Sequence, residues 1–187
     1  MRPAISQILC FALLTSVASP ALALGPSLGV RVGGGTVLWQ DAHDEPEATV
    51  FAVGPAARFD LGVLTFEADL LWNQTSWQSQ GEQAQLQRIA VPLLAKVNIE
   101  LVPSLAYFSF GAGIEPRWRV GAKIGDEDVS GIFAKKTMYV PVVAGLDLDL
   151  KLVQLNAEVR YSHQIEPELV SGSTRAHQVM GMLGVFF

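Results

Sequence analysis

The stretch 64–73, which reads LTFEADLLWN, decides how the rest of the chain is interpreted. Every second residue from Leu64 to Trp72 is apolar, and the positions between them are mostly polar, with Glu67 and Asp69 at the centre. Successive side chains of a β-strand point to opposite faces, so a period of two predicts a strand with one apolar and one polar face.

The same alternation recurs in 142–149 (VVAGLDLD) and in 155–162 (LNAEVRYS). Extended along the chain, it predicts eight strands at about 27–39, 49–60, 62–74, 86–100, 103–119, 137–150, 152–164 and 175–187. Each exceeds the roughly five or six residues of an ordinary strand and reaches the nine to eleven that a tilted membrane-spanning strand needs. The pattern therefore predicts an all-β fold, an eight-stranded antiparallel transmembrane β-barrel.

The predicted connections alternate between short and long. Short turns are expected at 60–62, 101–103 and 149–151, and long polar loops at 40–48, 76–85, 120–136 and 165–174. Because the strand number is even, both termini lie at the short-turn end. This asymmetry is typical of bacterial outer-membrane barrels, whose short turns and termini are periplasmic.

Residues 1–23 are predicted to be a cleaved secretory signal peptide, and 24–187 a single barrel domain. Arg2 supplies the positive start, 8–17 is apolar, and Ala21-Leu22-Ala23 is a small-x-small cleavage site. The apolar stretch is much shorter than the roughly 20 residues of a spanning helix. Cys10 lies within this segment, so the mature chain has no cysteine and is exported without disulfides.

Composition excludes several classes of protein. Half of the residues (50%) are hydrophobic, only 17% are charged, and the mean hydropathy is +0.31, which is too apolar for a disordered chain. The net charge of −5 argues against a nucleic-acid-binding protein. No later stretch approaches 18 consecutive apolar residues, so no membrane-spanning helix is predicted.

The polar face of the predicted strands carries nearly balanced charge. Its six basic and eight acidic residues are Arg31, Arg58, Lys96, Arg117, Arg119, Arg160, Asp60, Glu67, Asp69, Glu100, Glu115, Asp147, Asp149 and Glu158. No charged residue is in phase with the apolar face, where a charge would cost about 2 to 4 kcal/mol at the bilayer midplane. We therefore expect a paired polar network inside the barrel and lipid outside.

Aromatic residues are predicted to form two belts. Tryptophans fall at the long-loop ends of their strands, at Trp39, Trp72 and Trp118, and Phe59, Tyr107, Phe108 and Phe187 fall toward the short-turn ends. The final strand ends at Phe187, which resembles the signal that outer-membrane barrels present to the barrel-assembly machinery. Lipopolysaccharide and other outer-membrane lipids are the further expected partners of what we expect to be a monomer.

Five segments carry a family resemblance: LGVRVGGG (28–35), FEADLLWNQ (66–74), RIAVPLLAKVN (88–98), FGAGIEPRW (110–118) and LNAEVRYSHQI (155–165). With them the chain resembles the PorT-like outer-membrane β-barrel domain family, described as porin family proteins, and OmpA/OmpX-type eight-stranded barrels in general. The resemblance implies residence in the outer membrane of a Gram-negative bacterium. It implies no common activity.

The interior of an eight-stranded barrel is just wide enough for side chains to fill, which argues against a diffusion pore. A structural role, or binding and adhesion through the loops, is therefore expected. The most prominent loop is 120–136, whose charged residues are Lys123, Asp126, Glu127, Asp128, Lys135 and Lys136. The alternatives are a narrow ion-conducting barrel, a lipid-modifying outer-membrane enzyme and a soluble periplasmic lipocalin-like lipid binder, since periodicity does not say which face is inside.

The enzyme alternative depends on Ser162, His163 and Glu166 as nucleophile, base and orienting acid. Adjacent strand residues point to opposite faces, so Ser162 and His163 do not share a pocket without a bulge. We therefore predict no catalytic residues and no enzyme activity.

No metal or cofactor site is predicted either. The three histidines, His43, His163 and His177, are widely separated, and the acidic loop with Asp41, Asp44, Glu45 and Glu47 is interpreted as a solvated loop rather than as a cation site. The glycines at 33–35 precede no helix, so they indicate a kink or close packing in the wall rather than phosphate binding.

Overall fold

The computed structural model describes residues 26–39, 48–79, 81–166 and 175–187. The predicted signal peptide lies outside the described residues, as do most of the loops predicted at 40–48 and 165–174. Among the residues described, no helix is long and apolar enough to cross a membrane.

The described chain consists almost entirely of strands. They are β1 (Pro26–Trp39), β2 (Ala48–Leu61), β3 (Leu64–Asp69), β4 (Leu71–Ser79), β5 (Glu82–Ala90), β6 (Leu93–Val102), β7 (Ala106–Ile124), β8 (Glu127–Asp128), β9 (Lys136–Asp149), β10 (Gln154–Gln164) and β11 (Ala176–Phe186), with a 3₁₀ helix at Ser130–Ile132. All pairings are antiparallel, and the sheet closes because β1 pairs with both β2 and β11. The segments β3 and β4 form one strand of the wall, β5 and β6 form another, and β8 pairs only with β7. The predicted eight-stranded antiparallel barrel is confirmed.

Three prolines explain why two wall strands are interrupted. Pro55 lies in β2, Pro92 lies between β5 and β6, and Pro116 lies in β7. A proline has no N–H group, so each of them removes one donor from the ladder. Each proline carbonyl still accepts a backbone hydrogen bond from the adjacent wall strand, with N···O distances of 2.9 to 3.0 Å. The wall therefore stays continuous across the interruptions.

The short turns lie within one or two residues of their predicted positions. Residues 62 and 63 join β2 to β3, residues 103–105 join β6 to β7, and residues 150–153 join β9 to β10. Each contains one residue with positive φ, namely Gly62, Ser104 and Lys151.

The prediction of a long loop over 76–85 is wrong. The strand β4 runs to Ser79, β5 begins at Glu82, and these two residues pair across a two-residue connection that contains Gly81 with φ +86°. The stretch was interpreted as a loop because it is polar. Polar side chains do not prevent pairing, however, because the ladder is made by backbone groups.

The orientation of the two faces distinguishes this barrel from a soluble one. The apolar side chains point outward, as at Val159 and Leu183, which are 58% and 61% exposed. The charged side chains point inward, where Arg31 and Lys96 are fully buried. A lipocalin-like lipid binder requires the reverse arrangement, with the apolar face lining a cavity. The structure contradicts that alternative.

Most of the predicted belt residues that are described lie on the outer face. Tyr107 does not, because it pairs with the inward Asp147 and shares its face. Trp72 lies in the middle of its wall strand rather than at the long-loop end, because β4 continues to Ser79. Trp72 and Trp118 occupy one row of the wall, since both pair with Ile89, and Phe59 lies directly opposite another outward phenylalanine, Phe66. Phe187 is exposed at the end of the chain. The side chain of Trp39 lies outside the described part of the protein.

The glycines of β1 confirm the predicted close packing in the wall. A Cβ atom at Gly35 would overlap the backbone carbonyl oxygen of Val179 on β11, whereas at Gly34 the nearest atom would be the carbonyl oxygen of Val50, 3.7 Å away. Only a residue without a side chain fits at Gly35. The adjacent Gly34 has room for a methyl group.

We expect Gly35→Ala to lower the free energy of unfolding by about 1 to 3 kcal/mol, because the added methyl group pushes β1 away from β11. The matched control Gly34→Ala changes it by less than about 0.5 kcal/mol. Urea unfolding of the refolded protein, followed by tryptophan fluorescence, measures both. Equal effects of the two alanines would contradict the close approach at Gly35.

Candidate functional site: the charged barrel interior

Two buried carboxylates lie at the centre of the interior. Glu67 on β3 accepts hydrogen bonds from Arg31 on β1 at 2.7 Å and from Lys96 on β6 at 3.0 Å. Glu158 on β10 accepts from Arg31 at 3.0 Å and from Arg160 at 2.9 Å, and it also pairs with Lys96. Five charged side chains thus connect wall strands that lie far apart in the sequence.

The network continues toward the short-turn end. Arg58 donates to Asp147 at 2.7 Å, and Asp147 also accepts from the hydroxyl of Ser109 at 2.7 Å. The Arg58 guanidinium lies 4.4 Å from the centre of the Phe186 ring, which points inward and is fully buried. An aromatic ring therefore fills the lumen beneath the charged network, in contact with a cation.

Toward the long-loop end the interior is organised around Arg117. Its guanidinium donates to Glu115 at 2.6 Å and to the side-chain oxygen of Gln178 at 2.7 Å, and it lies 3.8 Å from the centre of the Tyr139 ring. The hollow between Arg88, Tyr139 and Gln178 has no room for a water molecule.

The interior confirms the predicted network of charges. Its buried charged residues are Arg31, Arg58, Arg88, Lys96, Arg117, Arg160, Glu67, Asp69, Glu115, Asp147 and Glu158, six basic and five acidic. The sequence analysis missed Arg88, because Leu86 and Ala90 share its face and make that face look apolar. The signal that could have found it is the alternation itself, since Arg88 directly precedes the outward Ile89.

Four of the predicted interior residues lie nearer the rims of the barrel. Glu100 is exposed, and Asp60 and Asp149 are partly exposed, all of them near the short turns. Arg119 is partly exposed near the long loops and donates to the backbone carbonyl of Phe133. The strict alternation thus predicts the face of each residue but not its depth.

The long-loop end of the lumen is covered by an apolar cap. The side chain of Phe133 is buried and packs edge-on against Trp77, with ring centres 6.0 Å apart, beside Leu86 and Ala122. The predicted loop 120–136 is therefore folded, with β7 and β8 pairing around a turn at Gly125. The segment that follows β8 lies over the mouth of the barrel.

The structure separates the residues of the enzyme alternative. Ser162 points inward and is buried, with its hydroxyl 3.5 Å from a carboxylate oxygen of Glu115. His163 points outward, where its ring contacts His177. Glu166 follows β10 and is exposed. The predicted opposition of Ser162 and His163 is confirmed.

The two described histidines do meet, although the sequence analysis treated them as widely separated. They lie on the paired strands β10 and β11 and face each other directly. His43 lies outside the described residues. Within the described ranges, no group of three or more His, Cys, Asp or Glu side chains is placed to hold a metal ion.

A closed barrel of eight wall strands, apolar outside and filled with paired charges inside, has the fold of the small outer-membrane barrels. It is similar to the crystal structure of Neisserial surface protein A, with a TM-score of 0.57, 16% identity, and coverage of 87% of this chain and 99% of that chain. It is also similar to the outer membrane enzyme PagL, with a TM-score of 0.51, 12% identity, and coverage of 82% and 97%.

At these identities the similarities show the fold alone. No family model and no curated protein matches the chain. The general resemblance to eight-stranded OmpA/OmpX-type barrels is therefore confirmed at the level of the fold, and membership of the PorT-like family stays a prediction.

We expect Glu158→Gln to lower the free energy of unfolding by about 3 to 5 kcal/mol, because Arg31, Lys96 and Arg160 lose a shared counter-charge in a buried site. The same substitution at the exposed rim residue Glu100 changes it by less than about 0.5 kcal/mol. Denaturant unfolding in lipid vesicles measures both variants. If the two glutamines behave alike, the interior network does not stabilise the barrel.

Proposed function

We propose that the protein is an integral outer-membrane β-barrel whose lumen is a structural core and whose long loops bind partners at the cell surface. One observation carries the proposal: the apolar side chains cover the outside of the barrel, and the charged ones fill the inside. In water such a surface costs about 25 cal/mol per Å² of exposed apolar area, whereas hydrocarbon accommodates it. The predicted signal peptide supports export, with short turns and termini in the periplasm.

The loop predicted at 120–136 supports surface binding. Lys123, Asp126 and Glu127 are exposed, while the base of the loop is anchored by the buried ring of Phe133. Hydrogen bonds from Ser130 hold the pKa of Asp128 below its usual value and brace the segment. A charged surface on a rigid base is suited to recognition, since little ordering is needed on binding.

A filled interior argues against the narrow ion path, which needs a column of water. The inward position of Ser162 argues against the lipid-modifying enzyme, because the nucleophile lies behind the wall. We therefore favour a protein without catalytic activity.

Its proposed partners are outer-membrane lipids and lipopolysaccharide around the wall, and the assembly machinery at the strand that ends with Phe187.

The membrane location is tested by a charge on the outer wall. Val159 lies in the middle of β10 and points outward. We expect Val159→Arg to lower the free energy of unfolding in lipid vesicles by about 2 to 4 kcal/mol, the cost of a cation at the bilayer midplane. The control Leu152→Arg, at a short turn where the native side chain is 74% exposed, costs about 0 to 1 kcal/mol. A neutral Val159→Arg would argue against burial of the wall in lipid.

The binding role is tested by removing charge from the loop. We expect the combined variant Lys123→Ser, Asp126→Asn and Glu127→Gln to reduce adhesion of cells that express the protein to surfaces and to other cells. Asp128 is left unchanged because it braces the loop through the backbone N–H of Ser130 at 2.8 Å.

The matched control for the loop variant is Asp149→Asn with Lys151→Ser at a short turn, which we expect to leave adhesion unchanged. Migration of unboiled and boiled protein on a gel verifies that each variant is folded. Adhesion of the loop variant at the wild-type level would refute this loop as the binding surface.

A further inference from the structure

A cluster of three polar side chains lies on the otherwise apolar outer face, near the long-loop end. His163 is the second-last residue of β10 and His177 the second residue of β11, and the two are directly opposite in the ladder. Tyr161 precedes His163 by two residues and therefore shares its face. None of them belongs to the interior network.

The potential ligand atoms of these side chains converge. The Nδ1 atoms of His163 and His177 are 3.1 Å apart, and the hydroxyl oxygen of Tyr161 is 2.8 Å from Nδ1 of His177. The Tyr161 and His177 rings are stacked with their centres 5.9 Å apart. Nδ1 of His177 thus lies within 3.1 Å of both a second ring nitrogen and a phenol oxygen.

This separation matches the distance between two nitrogen ligands of one metal ion. Imidazole nitrogens bind Zn²⁺ at about 2.0 to 2.1 Å, so two of them are about 3.4 Å apart at the tetrahedral angle and about 2.9 Å apart at a right angle. The observed 3.1 Å lies between these values.

The residues paired with the two histidines on the neighbouring strands are apolar, and the cation of Arg175 lies close enough to interact with His177. Across β9 the residue opposite His163 is Val140, and across β1 the residue opposite His177 is Leu38. Both are apolar, so neither donates to the imidazole nitrogens. Tyr161 is 40% exposed on the outer face, and His163 lies one residue before the end of β10, where the wall meets the long-loop end.

We propose that His163, His177 and Tyr161 form a binding site for a divalent transition-metal ion of the Cu²⁺ or Zn²⁺ type. Each neutral imidazole carries its proton on Nε2 and binds the ion through Nδ1. The phenol binds as phenolate and releases its proton to water, so binding is linked to pH. Two imidazoles and one oxygen are a ligand set that suits both ions, and water completes the coordination.

The experiment uses the untagged protein purified from membranes in detergent, titrated with Cu²⁺ alone and with Zn²⁺ alone by isothermal calorimetry. We expect one ion per chain. His163→Ala and His177→Ala each weaken binding by at least about tenfold, as loss of a metal-orienting group typically does. Tyr161→Phe retains weaker Cu²⁺ binding and loses the visible phenolate-to-copper charge-transfer absorption.

Two controls separate this site from adventitious binding. His43→Ala removes the other histidine of the chain, and Tyr107→Phe removes a tyrosine at the opposite end of the barrel; both should bind as the wild type does. Comparison of unboiled and boiled samples on a gel verifies folding, and His163→Gln replaces the alanine variant if that variant does not fold. Absence of saturable binding, or binding that survives both histidine variants, would overturn the proposal.

The test is independent of the proposed surface binding. The metal site requires only the pairing of β10 with β11 and the outward direction of three side chains. A protein that binds the ion but does not adhere would retain this proposal and lose the other. A protein that adheres but does not bind the ion would do the reverse.

Discussion

The barrel depends on the buried ion pairs around Glu67 and Glu158. These two carboxylates share Arg31 and Lys96, and through them strands β1, β3, β6 and β10 are connected across the lumen. An unpaired charge in such an interior costs several kcal/mol, so all of these side chains must be placed together for any one of them to be tolerated. This mutual requirement selects one closed arrangement of the strands over partially paired sheets.

The direction of every other side chain follows from that arrangement. Because successive strand residues point to opposite faces, placing Glu67 and Asp69 inside puts Phe66 and Ala68 outside. The charged core and the apolar outer surface are therefore two consequences of one alternation. An interior filled by paired charges, with Phe186 below and Phe133 above, supports the wall, and the exposed loops are the part of the molecule for which we propose binding.

Strand pairing also explains where the candidate catalytic and metal-binding side chains lie relative to one another. Ser162 and His163 are neighbours in sequence, yet the alternation sends one into the lumen and the other outward. His163 and His177 are 14 residues apart, yet the ladder places their ring nitrogens 3.1 Å from each other. Proximity in a sheet is set by register and parity, which explains why the alternation separated Ser162 from His163 correctly, whereas sequence spacing misjudged the two histidines.

The sequence by itself determined the period of two, the eight wall strands, the short turns and the charged face, because these depend on local patterns of polarity and on turn residues such as Gly62. It misjudged 76–85, since polarity does not distinguish an extended hairpin from a loop, and it missed Arg88 among apolar neighbours. Only the tertiary structure decided which face is inside, which carboxylate each cation reaches, and that His163 meets His177. Those facts depend on closure of the barrel and on the register between strands, which no local stretch of sequence specifies.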